Sequence, residues 1–156
     1  MERCTFPPAS SIIRAKPTKR PAGLRPRTQK KEERYTVNIL VSACLLGQCC
    51  KYSGGSNLCP AVLDYVRGHR VIPVCPEVLG GLPVPRTPAE IVAGEVLDRD
   101  GVSVDRAFRL GAARALEIAR EEGAELAILQ PRSPSCGAKE IYDGSFTGRN
   151  MPHFFF

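Results

Sequence analysis

The chain contains no apolar run near the ~18 residues that span a bilayer, and no early apolar stretch long enough to be a signal-peptide core. The expectation is a cytoplasmic protein with no membrane partner. No C-x-x-C pair stands at zinc-ribbon spacing, so a metal site has to be assembled from distant parts of the chain. The loop "CLLGQCCKYSGGS" lacks both G-x-G-x-x-G and G-x-x-x-x-G-K-[ST], which removes the two glycine cradles for phosphate that a motif would reveal. Histidine is scarce as well. His69 opens an expected strand and His153 lies in the tail, so imidazole contributes little to any candidate site.

Basic charge is present but unevenly spread. The 156 residues carry a formal net charge of +6, yet residues 1–35 hold ten Lys/Arg against three acids and five prolines, while residues 36–156 come to about −1. Residues 1–35 therefore read as a disordered, basic, Pro-rich arm. Such an arm attracts polyanions non-specifically, through charge alone, and implies no specific nucleic-acid partner. The remaining length suits one domain.

Residues 37–43 form a short, apolar, β-branched run typical of a strand buried on both faces, and it ends at Cys44. A glycine-containing loop over 47–57 is followed by helical apolar spacing over 58–66, with Gly68 as the stop. Residues 70–74 make a second strand, in which Pro73 removes a backbone donor, and this strand ends at Cys75. Residues 76–88 read as an irregular Gly/Pro loop, and residues 89–100 as a hairpin around Asp100-Gly101. A long amphipathic helix is expected over 104–122, stopped by Gly123, and a third strand over 125–129 leads to the loop holding Cys136.

This alternation predicts an α/β fold, a Rossmann-like open parallel sheet flanked by helices. Parallel strands place all their carboxyl ends on one edge, where ligands bind. Cys44, Cys75 and Cys136 each follow one of the three strands and are expected to converge there. Cys4 sits in the arm, while Cys49, Cys50 and Cys59 lie in or just past the first loop and read as ordinary buried thiols. Three thiolates are soft ligands suited to zinc, copper(I) or iron-sulfur clusters, and a three-ligand centre keeps one position open for chemistry.

The motifs "VSACLLG", "KYSGGS", "PVCPEVLGGLPVPRTPAEI" and "RSPSCGAKEIYDGSFTG", in that order over about residues 37 to 149, resemble small bacterial desulfidases of the thiouracil desulfidase type. The resemblance implies a four-iron four-sulfur cluster held by Cys44, Cys75 and Cys136, with one iron open to the sulfur of a thiolated pyrimidine. It also implies catalytic roles for Glu77, two residues after the second cysteine, and Ser133, three residues before the third. Replacing C=S by C=O requires an activated water and a managed proton, which a carboxylate and a hydroxyl supply. Arg86 is a weaker candidate for orienting the substrate, and Tyr52 and Tyr142 for stacking on its ring. Asp143-Gly144 reads equally well as a plain turn. The ending "RNMPHFFF" reads as a C-terminal truncation relative to that family, which bears on stability and activity. Two other functions use the same edge: a zinc hydrolase built on the three cysteines, and a non-catalytic nucleotide-binding module with reduced thiols.

Overall fold

The computed structural model describes residues 36–152. The basic arm at 1–35, with Cys4, and the tail at 153–156, with His153, lie outside the described residues. Three parallel strands make the central sheet: β1 (Asn38–Ser42), β2 (Arg70–Val74) and β5 (Leu126–Ile128), in the order β2-β1-β5. Two helices serve as connections, α1 (Pro60–Tyr65) between β1 and β2, and α3 (Asp105–Glu121) ahead of β5. A four-residue helix, α2 (Pro76–Leu79), follows β2 directly. Two antiparallel hairpins complete the chain, β3 (Ala89–Val92) with β4 (Glu95–Asp98), and β6 (Glu140–Tyr142) with β7 (Asn150–Pro152).

Alternation along β1 explains why both faces of the sheet are covered. Ile39 and Val41 point to one face and pack with Leu45 and Val66, while Leu40 points to the other and packs with Ile72 and Val74 against Leu79, Ile118 and Ala119. Each of these buried aliphatic side chains contributes about 1.5–3 kcal/mol by leaving water. Pro73 is tolerated because β2 is an edge strand and pairs only with β1. Among the described residues, no helix is long and apolar enough to cross a membrane.

The parallel α/β sheet and its strand positions match the sequence expectation, and three local features differ. The residues after β1 wind into a 3-10 turn, Ala43–Leu46, closed by Gly47 at φ 92°, so Cys44 sits on that turn and not on a strand end. The stretch 76–88 is not wholly irregular, because Pro76 fixes the first helical φ of α2. The hairpin over 89–98 turns at Ala93 and Gly94, both with positive φ, as a tight two-residue hairpin requires. Asp100-Gly101 instead comes after β4, where Asp98 Oδ1 accepts the backbone N–H groups of Asp100 (3.0 Å) and Val102 (2.8 Å).

Candidate active site

The carboxyl ends of the three strands surround a cavity of about 350 Å³. Cys44, Cys75 and Cys136 all line it, so the three strand-end cysteines do share one space. Cys44 comes from the 3-10 turn, with the Asn57 amide donating toward its Sγ at 3.9 Å. Cys75 is the N-cap residue of α2. Cys136 lies in a tight turn in which the N–H groups of Cys136 (3.2 Å) and Gly137 (2.7 Å) both donate to Ser133 O. A Cβ at Gly137 would come within 2.9 Å of three atoms, including Glu140 O and Ser133 O, so only glycine permits this turn.

A fourth thiol belongs to the group. Cys50 is 1% exposed, lines the same cavity, and hydrogen-bonds through its side chain with both Cys44 and Cys75. The strand-end rule misses it because Gly47 folds the loop back, with Gln48 N–H donating to Ala43 O, and so returns Cys50 to the sheet edge. The hydrogen bond from Cys50 lowers Cys75 to about 7, helped by the Val78 backbone N–H and Arg86 and opposed by burial and Glu77. Cys44 is also lowered, chiefly by the bond from Cys50. The same two bonds, with burial, push Cys50 far up. Burial raises Cys136, with Ser42 and Ser135 acting in the opposite direction. Among the described residues, no three His, Cys, Asp or Glu side chains are gathered as the ligands of a single metal ion would be.

Beside the thiols lies a buried polar network centred on Glu77. Its Oε2 accepts from Arg86 Nε at 2.7 Å, in an ion pair whose side chains are only 7% (Arg86) and 16% (Glu77) exposed. Its Oε1 accepts from Ser135 Oγ at 2.9 Å and from Ser133 Oγ at 3.4 Å. The two hydroxyls are 2.9 Å apart, and Ser135 Oγ lies 3.6 Å from Cys136 Sγ. A continuous hydrogen-bonded path therefore runs from Arg86 through Glu77 and the serines to Cys136.

Glu77 is held in place by the packing of α2 on α3. Gly80 and Gly111 face each other there: a Cβ at Gly111 would sit 1.9 Å from Pro76 O, and one at Gly80 would sit 2.0 Å from Ala107 O. Two glycines thus allow backbone-to-backbone contact and set the depth of α2, while Arg114 Nη1 donates to Leu79 O at 2.6 Å and holds its far end.

The chain matches the family model for 2-thiouracil desulfurase over residues 39–153. It belongs to the 2-thiouracil desulfurase family. A relative in Bacillus subtilis (strain 168), the uncharacterized protein YbbK, is 37% identical over 123 residues, covering 72% of this chain and 82% of its own length. A solved structure described as the [4Fe-4S]-dependent thiouracil desulfidase TudS superposes with a TM-score of 0.70 at 42% identity, covering 76% of this chain and 80% of the other.

Within this desulfurase fold the weaker sequence candidates take different places. Tyr52, on the first loop, and Tyr142, on β6, both line the cavity, and Lys51 Nζ stands 5.4 Å from the Tyr52 ring centroid. Arg86 also borders the cavity, but its nitrogens are turned to protein acceptors: Glu77, Pro83 O at 3.0 Å and Cys50 O at 3.0 Å. Its side chain is thereby held against Glu77 at the border of the cavity. Asp143-Gly144 is indeed a turn, with Asp143 Oδ1 accepting from Ser145 N at 3.0 Å. His69 stands at the opposite end of the sheet, its Nδ1 accepting from Val37 N at 3.3 Å. Two wall residues are not among the sequence candidates: Glu90, a buried carboxylate accepting from Phe146 N at 3.0 Å, and Gln130, two residues past β5. Gln130 is accessible to the strand-end rule that finds the cysteines. Glu90 is not, because it reaches the cavity from a hairpin whose placement needs tertiary structure.

Proposed function

We propose that the protein removes sulfur from a thiolated pyrimidine of the thiouracil or thiouridine type, converting C=S to C=O with release of sulfide and without net electron transfer. The observation that carries this reading is the meeting, in one cavity, of soft thiols with the buried network of Glu77, Ser133 and Ser135. Cys44, Cys75 and Cys136 would hold a 4Fe-4S cluster with one iron left without a protein ligand. The donor set suits such a group: it is entirely thiol, and two of its members are already held toward the thiolate form. The likeness to a [4Fe-4S]-dependent desulfidase at 42% identity is the reason to prefer a cluster over the zinc hydrolase reading. When bound, the cluster supplies a Lewis-acidic iron with high affinity for sulfur.

The chain's own residues do the remaining work. Glu77, oriented by Arg86, is the base that takes a proton from the attacking water. Ser133 passes a proton between Glu77 and the substrate, and the 2.9 Å contact with Ser135 keeps that hydroxyl aligned. Tyr52 and Tyr142 flank the ring.

The test separates binding from chemistry. Glu77→Gln and Ser133→Ala should keep the visible absorption of the cluster and lose ~10²- to 10⁴-fold in sulfide release from 2-thiouracil. Normal sulfide release per cluster in both variants would overturn the assigned roles.

A further inference from the structure

Glu90 brings a second carboxylate to the cavity, and only one of its oxygens is engaged. The residue stands on β3, is 8% exposed and lines the same cavity as Cys136, Glu77 and Ser133. Its Oε2 accepts from Phe146 N at 3.0 Å. Phe146, at φ 57°, belongs to the connection between β6 and β7, and that connection is in backbone contact with β3, since a Cβ at Gly144 would sit 2.6 Å from Ile91 O. The carboxylate is thus fixed by one oxygen. Among the described residues the other, Oε1, has no hydrogen-bond partner, and no cation is paired with the group. Nor is Oε1 sealed off: among the described residues the side-chain atom that is both fully buried and unpartnered is Gln130 Oε1, so Glu90 Oε1 keeps accessible surface. Glu90 is a wall residue with little exposure elsewhere, which assigns that surface to the cavity. A carboxylate this deep without a cation is costly unless a donor reaches it.

The two carboxylates of the wall differ in what they have left to offer. Glu77 already accepts from Arg86 on one oxygen and from the serines on the other, whereas Glu90 has an oxygen to spare. A carboxylate accepts hydrogen bonds and has none to donate, so the matching ligand atom is a donor. In a thiouracil ring N3 carries a hydrogen and is bonded to the thiocarbonyl carbon whether the sulfur stands at C2 or C4, and it stays free when N1 bears a sugar. In 2-thiocytosine the same N3 is a bare nitrogen, an acceptor that would meet the carboxylate lone pair to lone pair. We propose that Glu90 Oε1 accepts the substrate's N3–H, making Glu90 the residue that selects uracil-type rings and rejects cytosine-type ones. This inference rests on the desulfidase reading above and extends it to ring specificity.

The test uses the anaerobic holoenzyme with 2-thiouracil, its N3-methyl derivative and 2-thiocytosine. Wild type should show kcat/KM for 2-thiouracil about a hundredfold or more above that for 2-thiocytosine, and should lose about tenfold or more on the methylated compound, since a site built around a hydrogen bond rejects the analogue that lacks it. Glu90→Gln gives the sharper arm. Phe146 N–H would hold the new amide oxygen where it now holds Oε2, which leaves an NH2 donor in the place of Oε1. The variant should raise KM for 2-thiouracil about tenfold or more and shift the kcat/KM ratio of the two rings about a hundredfold toward 2-thiocytosine. Calorimetry should show the same reversal for the products, with uracil bound more weakly and cytosine more tightly than by wild type, at unchanged iron content. A carboxylate that only anchored Phe146 would affect both rings alike, so a ratio that does not move in Glu90→Gln overturns the proposal. A wild type that accepts the N3-methyl compound as readily as the parent overturns it without recourse to any variant. Sulfide released equally well from 2-thiouracil and 2-thiocytosine by wild type sinks this inference and leaves the desulfidase reading standing, whereas no sulfide from any of the three compounds means that the desulfidase reading itself has failed.

Discussion

Arg86→Met tests the link between fold and chemistry, because it removes the cation paired with Glu77 among the described residues. Both side chains are nearly buried, so the pair is not discounted as a screened surface contact would be. Removing one partner of a buried pair leaves an uncompensated carboxylate and costs about 3–5 kcal/mol. The lower end applies here, since Ser135 and Ser133 continue to hold Oε1. The variant also gives up the bond from Arg86 Nη2 to Cys50 O, which ties the first loop to the second. In a domain of this size about 3 kcal/mol corresponds to a fall of roughly 10 °C in Tm. Thermal unfolding of anaerobic samples matched for iron content measures it. The double variant Glu77→Gln/Arg86→Met should then lose clearly less than the sum of the two single losses, because the second change removes the stranded charge. A loss below about 1 kcal/mol in Arg86→Met, as for an exposed pair, or strict additivity in the double variant, would refute the reasoning.

Two further expectations concern packing and ligands. Gly111→Ala would normally stabilise a helix interior by about 1 kcal/mol, but its Cβ meets Pro76 O at 1.9 Å, so it should instead destabilise by about 2 kcal/mol and lower turnover per cluster by displacing α2 and Glu77. A higher Tm for that variant would show that α2 is not seated as described. Cys136→Ser should abolish iron binding and activity together, whereas Cys59→Ser, at the N-cap position of α1 and away from the cavity lining, should keep both. Cys50→Ser should retain iron at wild-type stoichiometry when samples are analysed for iron and acid-labile sulfide, and complete loss of iron would make Cys50 a ligand in place of one of the other three.

Much of the frame is legible in the sequence because local patterns decide it. Apolar β-branched runs fit buried parallel strands, and such strands carry the residues beyond their carboxyl ends to one edge, which is why Cys44, Cys75 and Cys136 are expected together and share one cavity. The spacing of Glu77 and Ser133 from two of those cysteines is visible too, although their 3.4 Å approach across 56 residues is not. The hidden features depend on how the chain returns on itself. Cys50 comes back through a left-handed glycine, and Arg86 reaches Glu77 across a Gly/Pro loop. Asp100-Gly101 is the stronger local turn signal, yet pairing between β3 and β4 overrides it and places the hairpin turn at Ala93-Gly94. Nothing local marks Arg86 as buried, so its ion pair with Glu77 emerges only from the packed loop.

The most direct test of the central claim is to incubate the anaerobically purified protein with 2-thiouracil and monitor sulfide release and uracil formation together, alongside its visible spectrum. The account predicts a broad brown absorption from the iron-sulfur cluster, with uracil and sulfide formed in equal amounts without any added reductant or oxidant. A colourless protein that retains full desulfuration, or a brown protein that releases sulfide only when electrons are supplied, would contradict it.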